Sequence, residues 1–117
     1  MAAYIEIFQN AAREVWSELG SGYSERVYHN AMEVMLREQS IRYETERIIP
    51  IVFKGCAIGN LRADLVIDGV MVVELKATRG LREENSTQLQ NYLDLTGLKV
   101  GILINFGTQG VEFSITQ

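Results

Sequence analysis

The sequence has one cysteine, one proline and one histidine in 117 residues, and each scarcity removes a class of protein. A lone Cys56 cannot form an internal disulfide, a four-cysteine iron–sulfur site or a cysteine-rich zinc site. With a single proline, no low-complexity tract and no internal repeat, residues 1–117 read as a single domain with a modest core and no linker. No apolar run approaches the roughly 18 residues that a membrane-crossing helix needs, so no membrane partner is expected. The opening "MAAYIEIFQN" has neither the basic start nor the long apolar stretch of a secretory signal. The expected location is therefore intracellular, in the cytoplasm or, in a eukaryote, the nucleus. Basic charge is also short. There are 11 Lys and Arg against 15 Asp and Glu, a net charge of −4, which weighs against a broad basic nucleic-acid surface but not against a local groove.

What the sequence does have is periodicity. Ile5, Phe8, Ala12, Val15, Trp16 and Leu19 recur every three or four residues, which predicts a helix over about 3–19 that ends before Gly20 and Gly22. A second helix over about 24–39 would carry Val27, Ala31, Val34 and Met35 on one face, with Ser21 or Ser24 as its cap. "YETERIIPIVF" and "AIGNLRADLVI" predict strands over about 42–52 and 58–67, separated by a turn near Lys54-Gly55. Asp68-Gly69 marks a hairpin, and "VMVVELKA" returns as a strand over about 70–77. "REENSTQLQNYLDLTG" predicts a third helix over about 84–96, acidic at its start and stopped at Gly97. "VGILINF" is a strongly apolar strand over about 100–106, and "GVEFSIT" is the candidate for a last edge strand. The order ααβββαβ(β) suggests an α/β (α+β) fold, a mixed sheet with helices on its faces.

Within "VVELKA", residues 72–77, Glu74 and Lys76 lie two apart in a strand that reads as buried, so they share a face. Desolvating charges costs several kcal/mol each unless they are paired or bind a metal. Whether Asp64 joins them depends on the hairpin. A two-residue loop at 68–69 pairs 64 with 73 and sends Asp64 and Glu74 to opposite faces. A three-residue loop, Ile67-Asp68-Gly69, pairs 64 with 72 and 62 with 74, making the two acids diagonal neighbours beside Lys76, with Gly69 in the left-handed position of a G1 bulge. The second register gathers Leu61, Ala63, Leu65 and Ile67 with Met71, Val73, Leu75 and Ala77 on one apolar face. It leaves Arg62, Asp64, Glu74 and Lys76 on the other. Two carboxylates this close repel unless a cation neutralises them, and Mg²⁺ favours a few carboxylates with water and phosphate oxygens. The bland alternative is a salt bridge from Lys76 to Glu74 or Asp64 on a solvated face.

"RADLVIDGVMVVELKA" resembles the D-(x)n-E-x-K core of the PD-(D/E)xK nuclease superfamily, with Asp64 at the aspartate and Glu74-Leu75-Lys76 at E-x-K. Ala63 stands where the motif's name has proline. "GYSERVY", with Gly22, Glu25 and Tyr28, adds a G-x-x-E-x-x-Y arrangement. Together with "TQLQNYL" and "GILINFG" it is similar to the small GxxExxY family of that superfamily, from about Ala11 to Gly107. The resemblance implies a restriction-endonuclease-like core and a Mg²⁺- or Mn²⁺-dependent deoxyribonuclease that is exonuclease-like or junction-specific. Glu25, Asp64, Glu74 and the Leu75 carbonyl would hold the metal. Lys76 would activate water, and Gln88 and Tyr92, as a Q-x-x-x-Y pair, would hold a phosphate or orient Lys76. No organic cofactor is implied. Arg79 and Arg82 are candidates to touch the phosphate backbone from a loop, or to pair with Glu83 and Glu84. Tyr28 reads as core packing with its hydroxyl tied down. His29 reads as a surface residue or a helix-face hydrogen bonder, and Asn105 and Gln109 receive no role. DNA is the expected partner, nothing in the sequence separates it from RNA, and a homodimer is the expected assembly. The rival from another class is a non-catalytic nucleic-acid- or protein-binding regulatory module on the same fold, which the acidic charge favours and the intact Asp64, Glu74 and Lys76 oppose.

Overall fold

A computed structural model of the chain describes residues 2–117. The elements follow as α1 (Ala2–Leu19), α2 (Glu25–Glu38), β1 (Tyr43–Phe53), β2 (Cys56–Ile67), β3 (Met71–Lys76), α3 (Glu83–Thr96), β4 (Val100–Phe106) and β5 (Val111–Thr116). The strands form one sheet in the order β1-β2-β3-β4-β5. All neighbours are antiparallel except β3 and β4, which run parallel because α3 carries the chain from one to the other. The fold is the expected mixed α/β sheet with helices on both faces, and the last strand is present.

Two cores sandwich the sheet. On one face, α1 and α2 bury Phe8, Ala12, Tyr28, Met32 and Leu36 against Leu65, Ile67, Val73, Ile102 and Ile104. On the other, α3 places Leu89, Tyr92 and Leu93 on Ile49, Ala63, Val66, Val72 and Leu103. Gly101 lets α3 come close, because a Cβ there would sit 2.8 Å from Leu89 Cδ1. Ser24 caps α2 by accepting from the Val27 N–H, and Gly97 ends α3 in the left-handed conformation.

The rotation of α2 differs from the expected one. Its buried face is Tyr28, His29, Met32 and Leu36, while Val27 and Val34 are exposed. Tyr28 explains this. Its ring stacks on Phe106 with centroids 4.4 Å apart, and its hydroxyl donates to the Gly20 carbonyl at 2.5 Å, so aromatic burial outweighs two smaller valines. Tyr28 is thus core with a satisfied hydroxyl, as its sequence suggested. His29 is not at the surface. It is buried, with Nε2 2.8 Å from Thr45 Oγ1 and 3.1 Å from Glu33 Oε2.

The β2–β3 register also differs. The pairs are Ile67↔Met71, Val66↔Val72 and Leu65↔Val73, so the three loop residues are Asp68-Gly69-Val70. Asp68 and Gly69 have φ of 49° and 68°, and the Val70 N–H donates to the Ile67 carbonyl. Aspartate tolerates the left-handed region better than most residues, so the tip closes one residue later than expected and Val70 is squeezed out as a bulge. The continuation of this register sets Asp64 directly opposite Glu74, not diagonal to it.

The single apolar face expected for β2 does not form either. Leu65 and Ile67 lie with α1 and α2, whereas Leu61 and Ala63 pack with α3. The swap occurs at Asp64, where the facing residue of β1, Glu46, has φ 54°. On either side the ladder is regular, Thr45↔Leu65 and Arg47↔Ala63. One left-handed residue turns both strands over. Val66 and Val72 are accordingly buried under α3, so the face that carries the acids is not a solvated one.

Candidate active site

The β2–β3 ladder stops at Leu65↔Val73, one residue short of the acids. Beyond it the two strands part, and the carboxylates take over the hydrogen bonding. Asp64 Oδ2 accepts from the Leu75 N–H at 2.8 Å, and Glu74 Oε1 accepts from the Asp64 N–H at 3.1 Å. Each carboxylate thus uses one oxygen to satisfy an amide left orphaned by the split and keeps a second. In an antiparallel ladder a residue's N–H and C=O point to the same neighbour. The Leu75 carbonyl therefore follows its N–H into the split, where no strand partner remains to receive it.

Glu74 is 5% exposed and Lys76 is half-buried beside it. Burial pushes the Glu74 carboxyl up to about 9, the Asp64 charge adds to the rise, and Lys76 opposes it by less. A carboxyl in this state prefers a proton unless a cation stands by it. The donor set fits a hard divalent cation, since the spare oxygens and the carbonyl are all oxygen ligands. Among the described residues no three His, Cys, Asp or Glu side chains gather as a metal group. The structure brings Asp64 and Glu74 together and does not bring Glu25 to them. Glu25 is exposed at the first residue of α2.

Tyr92 closes the split from the α3 side. It is 3% exposed, and its hydroxyl donates to the Arg62 carbonyl at 2.6 Å. Burial first, then the Glu74 and Asp64 charges, raises its pKa far above the ordinary tyrosine range, so the hydroxyl stays a donor. Gln88 lies one turn earlier on α3, half-buried and without a hydrogen bond among the described residues. Arg79 and Arg82 are exposed on the loop between β3 and α3, and Arg82 Nη1 lies 3.6 Å from Glu84 Oε1.

Three residues important to this region had no role assigned from the sequence. Arg26 forms an ion pair with Glu46, and its pKa is raised by that bond first and by Asp64's charge as well, so it lies within electrostatic reach of the acid pair. Glu46 carries the left-handed φ that turns β1 and β2 over, a conformation costing on the order of 1–3 kcal/mol for such a residue. Asn105, fully buried beside Lys76 in the β3–β4 ladder, is the third. It accepts from the Thr78 N–H at 2.9 Å and donates to the Thr78 carbonyl at 3.0 Å and to Glu112 Oε1 at 3.0 Å. It anchors the chain two residues after Lys76, which fixes where the Arg79–Arg82 loop begins. A lone asparagine in the apolar run "GILINFG" is the one signal that pointed to it.

A family model of the PD-(D/E)XK nuclease superfamily matches residues 2–115. Among solved structures, the crystal structure of SSO0001 is similar, with a TM-score of 0.62 and 26% sequence identity over 79% of this chain and 48% of that one. The chain thus spans about half the length of that protein. No curated protein matches the chain. No helix among the described residues is long and apolar enough to cross a membrane.

Proposed function

The chain belongs to the PD-(D/E)XK nuclease superfamily, and from that premise we propose that it is a metal-dependent deoxyribonuclease of the GxxExxY type. The observation that supports this best is the split ladder, in which two opposed carboxylates converge where strand pairing stops and take the amides left there. Asp64, Glu74 and the Leu75 carbonyl would hold Mg²⁺ or Mn²⁺, with Glu25, exposed at the start of α2, as the further acid that would complete the shell. Such an ion would supply charge neutralisation at the phosphate and would lower the pKa of a water molecule. Lys76 holds that water and takes up the charge developing on the phosphoryl oxygens. The water oxygen forms the new bond to phosphorus and passes its proton to solvent, while the sugar oxygen leaves with the electron pair of the broken P–O bond and gains a proton from solvent. Tyr92 keeps α3 docked across the split, and Gln88, one turn away, reaches a phosphate oxygen. Arg79 and Arg82 meet the backbone from their loop. One copy covers little duplex, so two copies acting on two strands is the assembly we expect.

The test is cleavage of linear, nicked, single-stranded and four-way-junction DNAs with Mg²⁺ and Mn²⁺, using the wild type and Lys76→Ala. Metal-dependent cleavage that falls on the order of 100- to 1000-fold in the variant is the expected result. Equal rates would assign the activity elsewhere. The exposed position of Glu25, outside the acid pair, favours a second reading, a binding module that grips nucleic acid without cutting it. That reading predicts binding by both proteins and cleavage by neither.

A further inference from the structure

Past the split, β1 and β2 continue as a two-stranded ribbon from Arg47 and Arg62 to the Lys54-Gly55 tip. Most of this ribbon lacks a helix above or below it. Ile48, Val52, Phe53 and Ile58 are 57–64% exposed. The molecule is correspondingly long, 47 × 31 × 23 Å. Exposed apolar side chains of this size on an unpaired edge are a liability unless something covers them.

The charges identify what covers them. Residues 47–62 carry Arg47, Lys54 and Arg62 and no acid, so all 15 Asp and Glu lie elsewhere in a chain of net charge −4. The cations are exposed. Arg47 has one acidic neighbour, Glu44, at 3.8 Å, and Lys54 Nζ lies 5.6 Å from the centroid of the Phe53 ring. A second copy of the chain would bring like charges together along the ribbon. A polyanion would meet opposite ones along its length, with Glu44 and Glu46 confined to the ribbon's root.

We propose that the β1–β2 arm is a nucleic-acid grip, in which Arg47, Lys54 and Arg62 contact phosphates and Phe53 stacks on a base. A two-stranded ribbon has the width that the major groove of B-DNA accepts. A ring at its tip, with a cation beside it, suits an unpaired base in a fork or single strand. The arm's inner end is Asp64 itself, so a strand held along the ribbon runs into the acid pair. This rests on the nuclease reading for its substrate, and it adds the surface that gives an acidic protein its affinity.

The experiment measures binding of a fluorescent duplex and a matching fork by anisotropy in Ca²⁺, over a series of salt concentrations, for the wild type and Arg47→Ala/Lys54→Ala. Cleavage of bis(p-nitrophenyl) phosphate, too small to reach the arm, is measured in Mn²⁺ for both. Affinity should fall about tenfold, and the slope of log K against log salt should fall by about 2, the loss of two phosphate contacts. Hydrolysis of the small diester should not change. Phe53→Ala should weaken the fork more than the duplex. Arg47→Lys/Lys54→Arg should retain the wild-type slope, which excludes misfolding as the cause. Unchanged affinity and slope in the double alanine variant would overturn the proposal. So would a change of sedimentation coefficient in that variant with binding unchanged, since the arm would then join copies of the chain. If neither protein cleaves any of the linear, nicked, single-stranded or four-way-junction DNAs in Mg²⁺ or Mn²⁺ but the variant still loses affinity, the nuclease reading fails and the grip stands.

Discussion

The hairpins at Lys54-Gly55 and Asp68-Gly69 turn alike, with both residues of each pair at positive φ and both tips exposed, yet the strands behind the first stand largely in solvent while Ile67 and Met71 behind the second are fully buried. Both begin as regular antiparallel ladders. The β1–β2 hairpin keeps its ladder from Tyr43↔Ile67 to Phe53↔Cys56, apart from one register shift and the irregularity at Glu46. The β2–β3 hairpin gives up its ladder after Leu65↔Val73. The difference teaches where function can be placed in a sheet. A complete ladder satisfies its own backbone and leaves only side chains to interact. A ladder that opens leaves amides and carbonyls that side chains or ions must satisfy, and here two carboxylates do so from strands bound on their other edges. Those outer bonds to β1 and β4 are what keep the split from unravelling.

The largest expected contrast between the hairpins is chemical. Lys76→Ala should lower cleavage on the order of 100- to 1000-fold, whereas Lys54→Ala should leave hydrolysis of a small diester unchanged. Circular dichroism of both variants should be that of the wild type. Equal losses in the two would show that the site is not confined to the split.

A second contrast concerns pH. The Glu74 carboxyl sits near 9 in the folded, metal-free chain against about 4.5 when exposed. Between these values the folded chain holds a proton that the unfolded chain has released. Its contribution to stability is complete below about 4.5 and is lost as pH rises through about 9, a decline of roughly 1 kcal/mol per pH unit in between. Urea denaturation in chelator at pH 6 and pH 8 should show that fall for the wild type and a flatter profile for Glu74→Gln. No arm residue should alter the slope.

The smallest contrast is conformational. Gly69→Ala and Gly55→Ala both place a Cβ at positive φ, which costs about 1 kcal/mol locally. At Gly69 the cost should appear in full as a lowered urea midpoint. At Gly55 it should fray only the arm and show as faster amide exchange near the tip, with a midpoint change of a few tenths of a kcal/mol.

The sequence revealed the element order because apolar spacing of 3.6 and of 2 is written directly in it, from Ile5–Leu19 to Val100–Phe106. It also put Asp64 and Glu74 side by side, but through a register two residues from the observed one and an apolar face of β2 that does not form. What it concealed depends on single backbone torsions and on tertiary contacts. Nothing in "YETERII" marks Glu46 as left-handed, so the exchange of faces at Asp64 was illegible. Asp68 could enter the left-handed region or not, and that choice moved the register by two. The rotation of α2 was decided by the Tyr28–Phe106 stack, a contact between residues 78 apart in sequence. Arg26 received no reading from sequence, because only its ion pair with Glu46, made through tertiary contact, brings it within reach of Asp64's charge.

The central claim is that the acid pair in the split holds a divalent cation, and calorimetric titration of Mn²⁺ into the metal-free protein at pH 8 addresses it most directly. The wild type should bind with protons released as Glu74 gives up its hydrogen, so the observed heat should vary with the ionisation enthalpy of the buffer. Asp64→Asn should bind far more weakly. Binding of equal strength in wild type and Asp64→Asn, or no binding by the wild type, would contradict it.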